Sequence, residues 1–244
     1  MKKVFFALIF GLMMVNCASA QDDFKKYEEE CLAFIEKPEI KLSSSYGKLR
    51  YNYEKDSEFL RRETEKIFKE QGVEMPKEFE PMGLTKIRDG LDLKMETATV
   101  GVSHGYQCIY PVSMDVFMGY YLPVIYIASD LAKGSCMYDV TVRHEQVHLA
   151  IFIDALDYFL PKFKKFIDES RDKMGVMIVE KNVDIKYAVE MYNKKYVKYL
   201  EDYVNRWRKS VIAEQMKLDS IENYILEAKV CAEEEDSVEE TEEW

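Results

Sequence analysis

The pentapeptide His144-Glu145-Gln146-Val147-His148 constrains the fold of this chain more than any other feature. Histidines four residues apart lie on one face of an α-helix, so both imidazoles can reach a single zinc ion. Zinc lowers the pKa of a bound water, and the intervening glutamate can accept a proton from that water as it attacks a carbonyl. The motif predicts a metallopeptidase site with His144 and His148 as metal ligands and Glu145 as general base.

The residues around the motif predict a buried helix. Leu149, Ala150 and Ile151 carry no charge, which favours packing under a sheet with only the metal-binding edge open. The alternative is a buried helix whose two histidines are satisfied by local hydrogen bonds. We expect this helix to run from about Asp139 to Leu160, with Ser135 or Asp139 near its start and Pro161 opening the next helix.

The rest of the chain predicts an α+β, zincin-like fold, with a small, mostly antiparallel sheet over the HExxH helix and long C-terminal helices. Between Leu91 and Asp130, β-branched and aromatic residues separated by glycines and prolines predict three or four short strands. Leu122–Ala128 is the expected edge strand, where an extended peptide could pair. Val183–Cys231 contains neither proline nor glycine and predicts one long helical segment.

We expect four segments along the chain. Residues 1–20 form a signal peptide, 21–90 a mainly helical extension, 91–232 the zincin-like metallopeptidase domain and 233–244 an acidic disordered tail. The tail holds eight acidic residues, and the whole chain has a formal net charge of −11. Nothing in the sequence forms the basic patch that nucleic-acid binding requires.

The N-terminus has the three parts of a secretory signal. Met1-Lys2-Lys3 is followed by the apolar stretch Val4–Val15 and by the small residues Ala18-Ser19-Ala20. Cleavage after Ala20 would release a soluble protein beginning at Gln21, periplasmic or fully secreted. Lipidation at Cys17 ranks second, because the residue before it is not small. No other apolar run approaches the roughly 20 residues of a membrane span.

Four cysteines follow the signal, an even number that predicts two disulfides in an oxidising compartment. They are Cys31, Cys108, Cys136 and Cys231. Three connectivities are possible. We favour Cys108 with Cys136 and Cys31 with Cys231, because the second bond would join the first helix to the last.

A catalytic zinc needs a third protein ligand, and several residues compete for that role. Asp154 follows the motif closely but lies about 120° from the histidine face of the helix. Asp168 and Glu169 lie on the next predicted helix, about one to two turns short of the histidines. His104 is the only other histidine.

The last predicted helix offers further candidates for the third ligand. Gln215, Asp219 and Glu222 recur on one of its faces. Such a stripe of polar and charged residues on a helix is usually solvated.

The segment from about Asp92 to Cys231 resembles a bacterial family of predicted secreted zinc-dependent proteases, whose domain is of unknown function. The similarity lies in Cys108 with the strand pattern through Leu122-Pro123, in the stretch 143–148 around the motif, and in the stretch 214–222. In that family a Gln-x-x-aromatic-Asp stretch follows the HExxH motif. The resemblance implies that Asp219 is the third zinc ligand, with Glu222 second, although this chain lacks the histidine that often follows in the family.

The favoured function is a secreted zinc metallopeptidase acting on a peptide or protein substrate. The group that steadies the oxyanion is left open among His104, Tyr106, Tyr110 and Tyr126. The alternative is a non-catalytic extracytoplasmic binding module that keeps the zincin fold. In a third interpretation the chain is a helical adaptor and the motif is accidental. The oligomeric state is not indicated by the sequence.

Overall fold

The computed structural model describes residues 25–77 and 79–239, and of 171–174 and 233–239 it describes the backbone alone. Within these residues the fold is mixed α/β, with five helices and five strands. The predicted signal peptide, the alternative lipidation site at Cys17 and the last five residues lie outside the described part. Among the described residues, no helix combines the length and apolar character needed to cross a membrane.

The elements follow one another as α1 (residues 25–33), β1 (Glu39–Ser43), β2 (Arg50–Asn52), α2 (Ser57–Glu70), β3 (Gly83–Gly101), β4 (Tyr106–Ile127), α3 (Cys136–Met174), β5 (Met177–Glu180), α4 (Ile185–Leu218) and α5 (Ile221–Glu239). A 3₁₀ turn, Ser103–Gly105, connects β3 to β4. The segment 21–90, predicted to be mainly helical, thus also contains β1, β2 and the start of β3. α5 continues into the segment predicted as a disordered tail.

The chain forms two compact units. The first consists of the described part of Met1–Leu42, Leu93–Val116 and Lys165–Glu201. The second consists of Ser43–Asp92, Phe117–Lys164 and the described part of Asp202–Trp244. In the first unit β5 pairs antiparallel with β4, and in the second β2 pairs parallel with β4, so the strands form mixed pairings. The HExxH motif belongs to the second unit.

Two long strands replace the three or four short ones predicted between Leu91 and Asp130. β3 has 19 residues and β4 has 22. The glycine and the prolines of β4 do not end the strand. At Gly119 the missing side chain allows a neighbouring segment to approach closely. A side chain on Gly119 would place its Cβ 2.5 Å from the carbonyl oxygen of Ser45. The same oxygen accepts a hydrogen bond from Tyr120 N. The chain bends at Leu122, which has a positive φ of 49°.

The prediction that Leu122–Ala128 is an edge strand is wrong. Residues 124–126 of β4 pair with β2, and β3 also pairs with β4. Among the described strands β3 pairs with β4 alone, so β3 has a free edge. A pattern of apolar residues indicates burial on the faces of a strand, not which strand is outermost.

α3 begins as predicted, with Ser135 capping its first turn. The Ser135 hydroxyl oxygen accepts a hydrogen bond from Tyr138 N. The helix does not end at Leu160, however, and Pro161 lies inside it. Proline removes one helical hydrogen bond, but the buried side chains of Leu156 and Phe163 hold the helix on both sides of that position.

The predicted helix over Val183–Cys231 is divided into α4 and α5, and the break at Asp219 and Ser220 has a local cause. The Ser220 hydroxyl oxygen accepts a hydrogen bond from Asn223 N, which caps the start of α5. The amide of Asn223 donates to the carbonyl oxygen of Leu218, one of the last carbonyls of α4. Ordinary capping residues therefore stop one helix and start the next without glycine or proline.

Two disulfides are present within residues 25–239, but the predicted pairing is wrong. Cys31 pairs with Cys108 and Cys136 with Cys231, with Cα–Cα distances of 5.8 and 5.5 Å. Each disulfide lies within one compact unit. The predicted bond between Cys31 and Cys231 would have joined residues of different units. Two disulfides indicate an oxidising, extracytoplasmic environment.

The core of the second unit is built around Trp207, which is 1% exposed. Its ring lies 5.3 Å from the ring of Tyr120 on β4, between centroids. The Tyr120 hydroxyl in turn donates to the carbonyl oxygen of Phe152 on α3. This cluster ties α4 to the strand and to the helix that carries the motif.

Replacing Trp207 with alanine should lower the free energy of unfolding by about 3–5 kcal/mol, because it leaves a cavity in this core. Urea unfolding followed by circular dichroism would measure the change. Lys209→Ala, at an exposed position two residues away on the same helix, should stay within about 0.5 kcal/mol of the parent. Equal effects of the two substitutions would contradict the assignment of Trp207 to the core.

Candidate metal site

α3 presents His144, Glu145 and His148 as a buried polar group. Their exposed fractions are 4%, 3% and 8%, although most histidine and glutamate side chains in proteins face water. One ligand atom from each residue lies within 4.8 Å of the others. These three residues could hold a metal ion.

The junction between α4 and α5 adds a carboxylate to this group. Asp219 Oδ1 lies 2.9 Å from His148 Nε2 and 3.3 Å from His144 Nε2. The two Nε2 atoms are 3.0 Å apart. Ligands at 2.0–2.1 Å from a tetrahedral metal would be about 3.3 Å from one another. The three atoms therefore have the mutual spacing of a compact metal-ligand set.

The other nitrogen of each imidazole faces an oxygen that accepts hydrogen bonds. His144 Nδ1 is 3.0 Å from both carboxylate oxygens of Glu227. His148 Nδ1 faces Gln215 Oε1, and Gln215 Nε2 donates to the carbonyl oxygen of His148, which fixes the orientation of that amide. Each neutral histidine therefore carries its proton on Nδ1 and leaves a lone pair on Nε2.

With both histidines neutral, three lone pairs would point at one another from His144, His148 and Asp219. Burial lowers the pKa of His144, but its hydrogen bonds to Asp219 and Glu227 outweigh this and raise the pKa to about 9. Burial would raise the pKa of Asp219, yet the two histidines hold it well below its usual range. A group of this kind requires positive charge at its centre, which suits a metal cation.

Glu145 is positioned from the start of β3. Thr85 Oγ1 lies 2.7 Å from Glu145 Oε2 and 2.9 Å from the Glu145 carbonyl oxygen. A Cβ on Gly83 would lie 2.5 Å from Glu145 Oε1, so only glycine allows the strand to approach this closely. Burial, opposed by the histidines and Thr85, raises the pKa of the Glu145 carboxyl.

Tyr224 on α5 brings a hydroxyl to the same centre. Its oxygen lies 3.1 Å from Asp219 Oδ1 and 3.2 Å from His144 Nε2. Burial and the nearby carboxylates raise its pKa, so the hydroxyl keeps its proton. The ring is held by Phe79, whose ring centroid lies 4.7 Å away in an edge-on arrangement.

The structure leaves two of the other sequence candidates exposed and places three in the first compact unit. Asp154 and Glu222 are exposed. The remaining candidates for the third ligand, His104, Asp168 and Glu169, belong to the first compact unit.

The tyrosines proposed to steady an oxyanion are divided between the two units. Tyr106 and Tyr110 belong to the first unit. Tyr126 packs against Phe59, with ring centroids 6.2 Å apart.

Sequence reasoning missed the residues that support the site. These are Gly83, Thr85, Asn223, Tyr224 and Glu227. For the α5 residues the helical stripe of Gln215 and Asp219 is not a sufficient signal, because α4 ends at Leu218 and α5 starts anew at Ile221. For Gly83 and Thr85 no local signal exists, since they meet α3 from about 60 residues away in sequence.

Comparisons of the chain with protein-family models, with curated proteins and with solved structures returned no match. Because one fold can host many chemistries, function has to be argued from the site.

Replacing Glu227 with glutamine should weaken metal affinity about 10-fold or more, because the carboxylate that orients His144 is lost. Competition with a chelating indicator would measure the affinity. The matched control is Glu222→Gln, an exposed glutamate on the same helix, which should change affinity less than about twofold. Equal losses would contradict the role of Glu227.

The bond between Cys136 and Cys231 should also support the site. Cys136 opens α3 two turns before His144, and Cys231 lies one turn after Glu227 on α5. The double variant Cys136→Ser/Cys231→Ser should lose metal affinity by about 10-fold or more while keeping its helical circular dichroism. Cys31→Ser/Cys108→Ser, which removes the disulfide of the other unit, is the matched control and should keep metal affinity.

Proposed function

We propose that the chain is a secreted zinc metallopeptidase of zincin-like fold, with His144, His148 and Asp219 as the zinc ligands. The observation that carries this proposal is the convergence of His144 Nε2, His148 Nε2 and Asp219 Oδ1, which lie within 3.3 Å of one another. Two imidazole nitrogens and one carboxylate oxygen are a donor set typical of catalytic zinc. The proposal agrees with the family resemblance of the segment from Asp92 to Cys231.

Glu145 is suited to the proton transfers of peptide hydrolysis. When bound, zinc would polarise the scissile carbonyl and lower the pKa of a water molecule it holds. Glu145 accepts the proton from the attacking water and then donates it to the nitrogen of the departing amine. Its raised pKa makes it a stronger base, and Thr85 fixes one of its oxygens so that the other is free to act.

Tyr224 takes the place of the tyrosines and the histidine first considered for the oxyanion. Its hydroxyl lies at the ligand atoms and keeps its proton. A hydroxyl in this position can donate a hydrogen bond to the oxygen that becomes negative during hydrolysis. The Phe79 ring restricts the Tyr224 ring, so the donor is held in place before the reaction.

The proposed location is the periplasm or the extracellular space. The support is the pair of disulfides within the described residues, together with the sequence pattern that predicts signal cleavage after Ala20.

The deciding experiment measures zinc content and cleavage of casein or a peptide library side by side. The purified chain should hold about one zinc and cleave, since the site has one set of three ligands. Glu145→Gln should keep zinc and lose about 10²-fold or more of the activity. Asp219→Asn should lose zinc, whereas the exposed Glu222→Gln should keep both properties.

Other results would redirect the proposal. Zinc retained in Asp219→Asn would show that the third ligand lies elsewhere. Zinc bound with no cleavage would favour the alternative, a non-catalytic binding module. Absence of zinc, unchanged by His148→Ala, would remove the metal site altogether.

Gly83→Ala should lower kcat/KM by about 10²-fold while zinc stays bound, because the added Cβ would push the Glu145 carboxylate from its position. The matched control is Gly101→Ala on the same strand, where an added Cβ meets no atom within 4 Å. That variant should keep full activity. A loss of zinc in Gly83→Ala would show that the strand supports the ligands, not only the base.

A further inference from the structure

Two cavities of different size meet at the candidate metal site. The larger has a volume of about 280 Å³ and extends past His148, and the smaller has about 70 Å³ and extends past His144. Three residues line both cavities: Gly83, Glu145 and Tyr224. The proposed base and oxyanion donor therefore lie at the boundary between the two spaces.

The larger cavity has an apolar wall. Its apolar lining includes Ile67, Phe68, Leu84, Phe152, Val211 and Ile212. Among the described residues that line it, the carboxylate and amine groups other than those of Glu145 and Asp219 belong to Glu70 and Lys86, which are both exposed. Charge on these lining residues is thus confined to the candidate metal site and to exposed positions. Transfer of a large aliphatic or aromatic side chain from water into this cavity would be favourable, because apolar surface is removed from water.

The smaller cavity excludes such a side chain by its size. A volume of 70 Å³ holds only a few water molecules. Met82, Val140 and Ala228 narrow it, and the carboxylates of Glu80 and Glu227 also line it. This side accepts glycine, alanine or serine.

The start of β3 can hold an extended peptide across this boundary. Residues 83–87 at the start of β3 line the larger cavity, and no residue of β4 does. Among the described strands β3 pairs with β4 alone, so its other edge pairs with no described strand. Backbone groups on a free strand edge can pair with an added extended segment.

We propose that the site takes extended peptides with a large apolar side chain on the His148 side of the scissile bond and a small side chain on the His144 side. This rests on the proposed function. The peptide C–N bond lies at the boundary formed by Gly83, Glu145 and Tyr224. Water adds its hydroxyl to the acyl carbon, its proton passes through Glu145 to the nitrogen, and the C–N bond breaks. The products are a carboxylic acid and an amine, which exchange a proton to become a carboxylate and an ammonium.

A randomised peptide library tests the proposal by binding and by cleavage. The zinc-loaded Glu145→Gln chain should retain peptides with a large apolar residue next to a small one, enriched about 10-fold or more. The parent chain should cleave between those two residues. Sequencing of retained peptides and mass spectrometry of the products give the two readouts.

One matched pair of variants connects the preference to the cavity. Ile212→Trp fills the larger cavity from a partly exposed position, so it should shift the preference from large to small aliphatic residues by about 10-fold. Ile225→Trp makes the same change on α5 at a residue that lines neither cavity, and should keep the parent preference.

The outcomes separate this inference from the proposed function. Selective retention without cleavage by the parent would support the two-cavity preference and overturn the peptidase. Cleavage or retention without a preference for the apolar and small pair would overturn the inference and leave the peptidase standing. Equal effects of Ile212→Trp and Ile225→Trp would also overturn it.

Discussion

The candidate metal site depends on one electrostatic constraint, because two imidazole nitrogens and a carboxylate oxygen lie within 3.3 Å of one another and require positive charge between them. His144 Nε2, His148 Nε2 and Asp219 Oδ1 are held together by groups that have already used the other hydrogen-bonding positions of the two imidazoles. Burial strengthens both the repulsion and the attraction to a cation. Much of the surrounding structure serves this one requirement, including the break between α4 and α5 and the close approach of β3.

Sequence alone identified the part of the site that is local. Two histidines four apart on a helix must share a face, so the motif predicts its own geometry, and the structure buries it on α3 as expected. Asp219 could also be predicted as a candidate, because it belongs to a helical stripe and lies in the stretch 214–222 on which the suggested family resemblance rests. Its role as a ligand stays a prediction, although its carboxylate lies beside both histidines.

The supporting residues could not be predicted, because they depend on how separate elements pack. The rotation of α5 about its axis is set by the capping of Ser220 and Asn223, and it decides that Glu227 and Tyr224, not Glu222, turn toward His144. The contact of Thr85 with Glu145 depends on which strand is outermost. The apolar residues of β3 and β4 indicate which faces are buried, but they do not indicate the order of the strands in the sheet. Disulfide pairing failed for the same reason, since four cysteines carry no information about spatial neighbours.

The pairing of the cysteines has a consequence for how the chain acquires its bonds. In order along the described chain, the first cysteine joins the second and the third joins the fourth. A polypeptide that emerges N-terminus first exposes Cys31 and Cys108 before either later thiol is present. Oxidation in order of appearance therefore yields both native bonds without the slow thiol–disulfide exchange that interleaved pairs require. Sequential pairs of this kind require no rearrangement of bonds when the thiols are oxidised in their order along the chain.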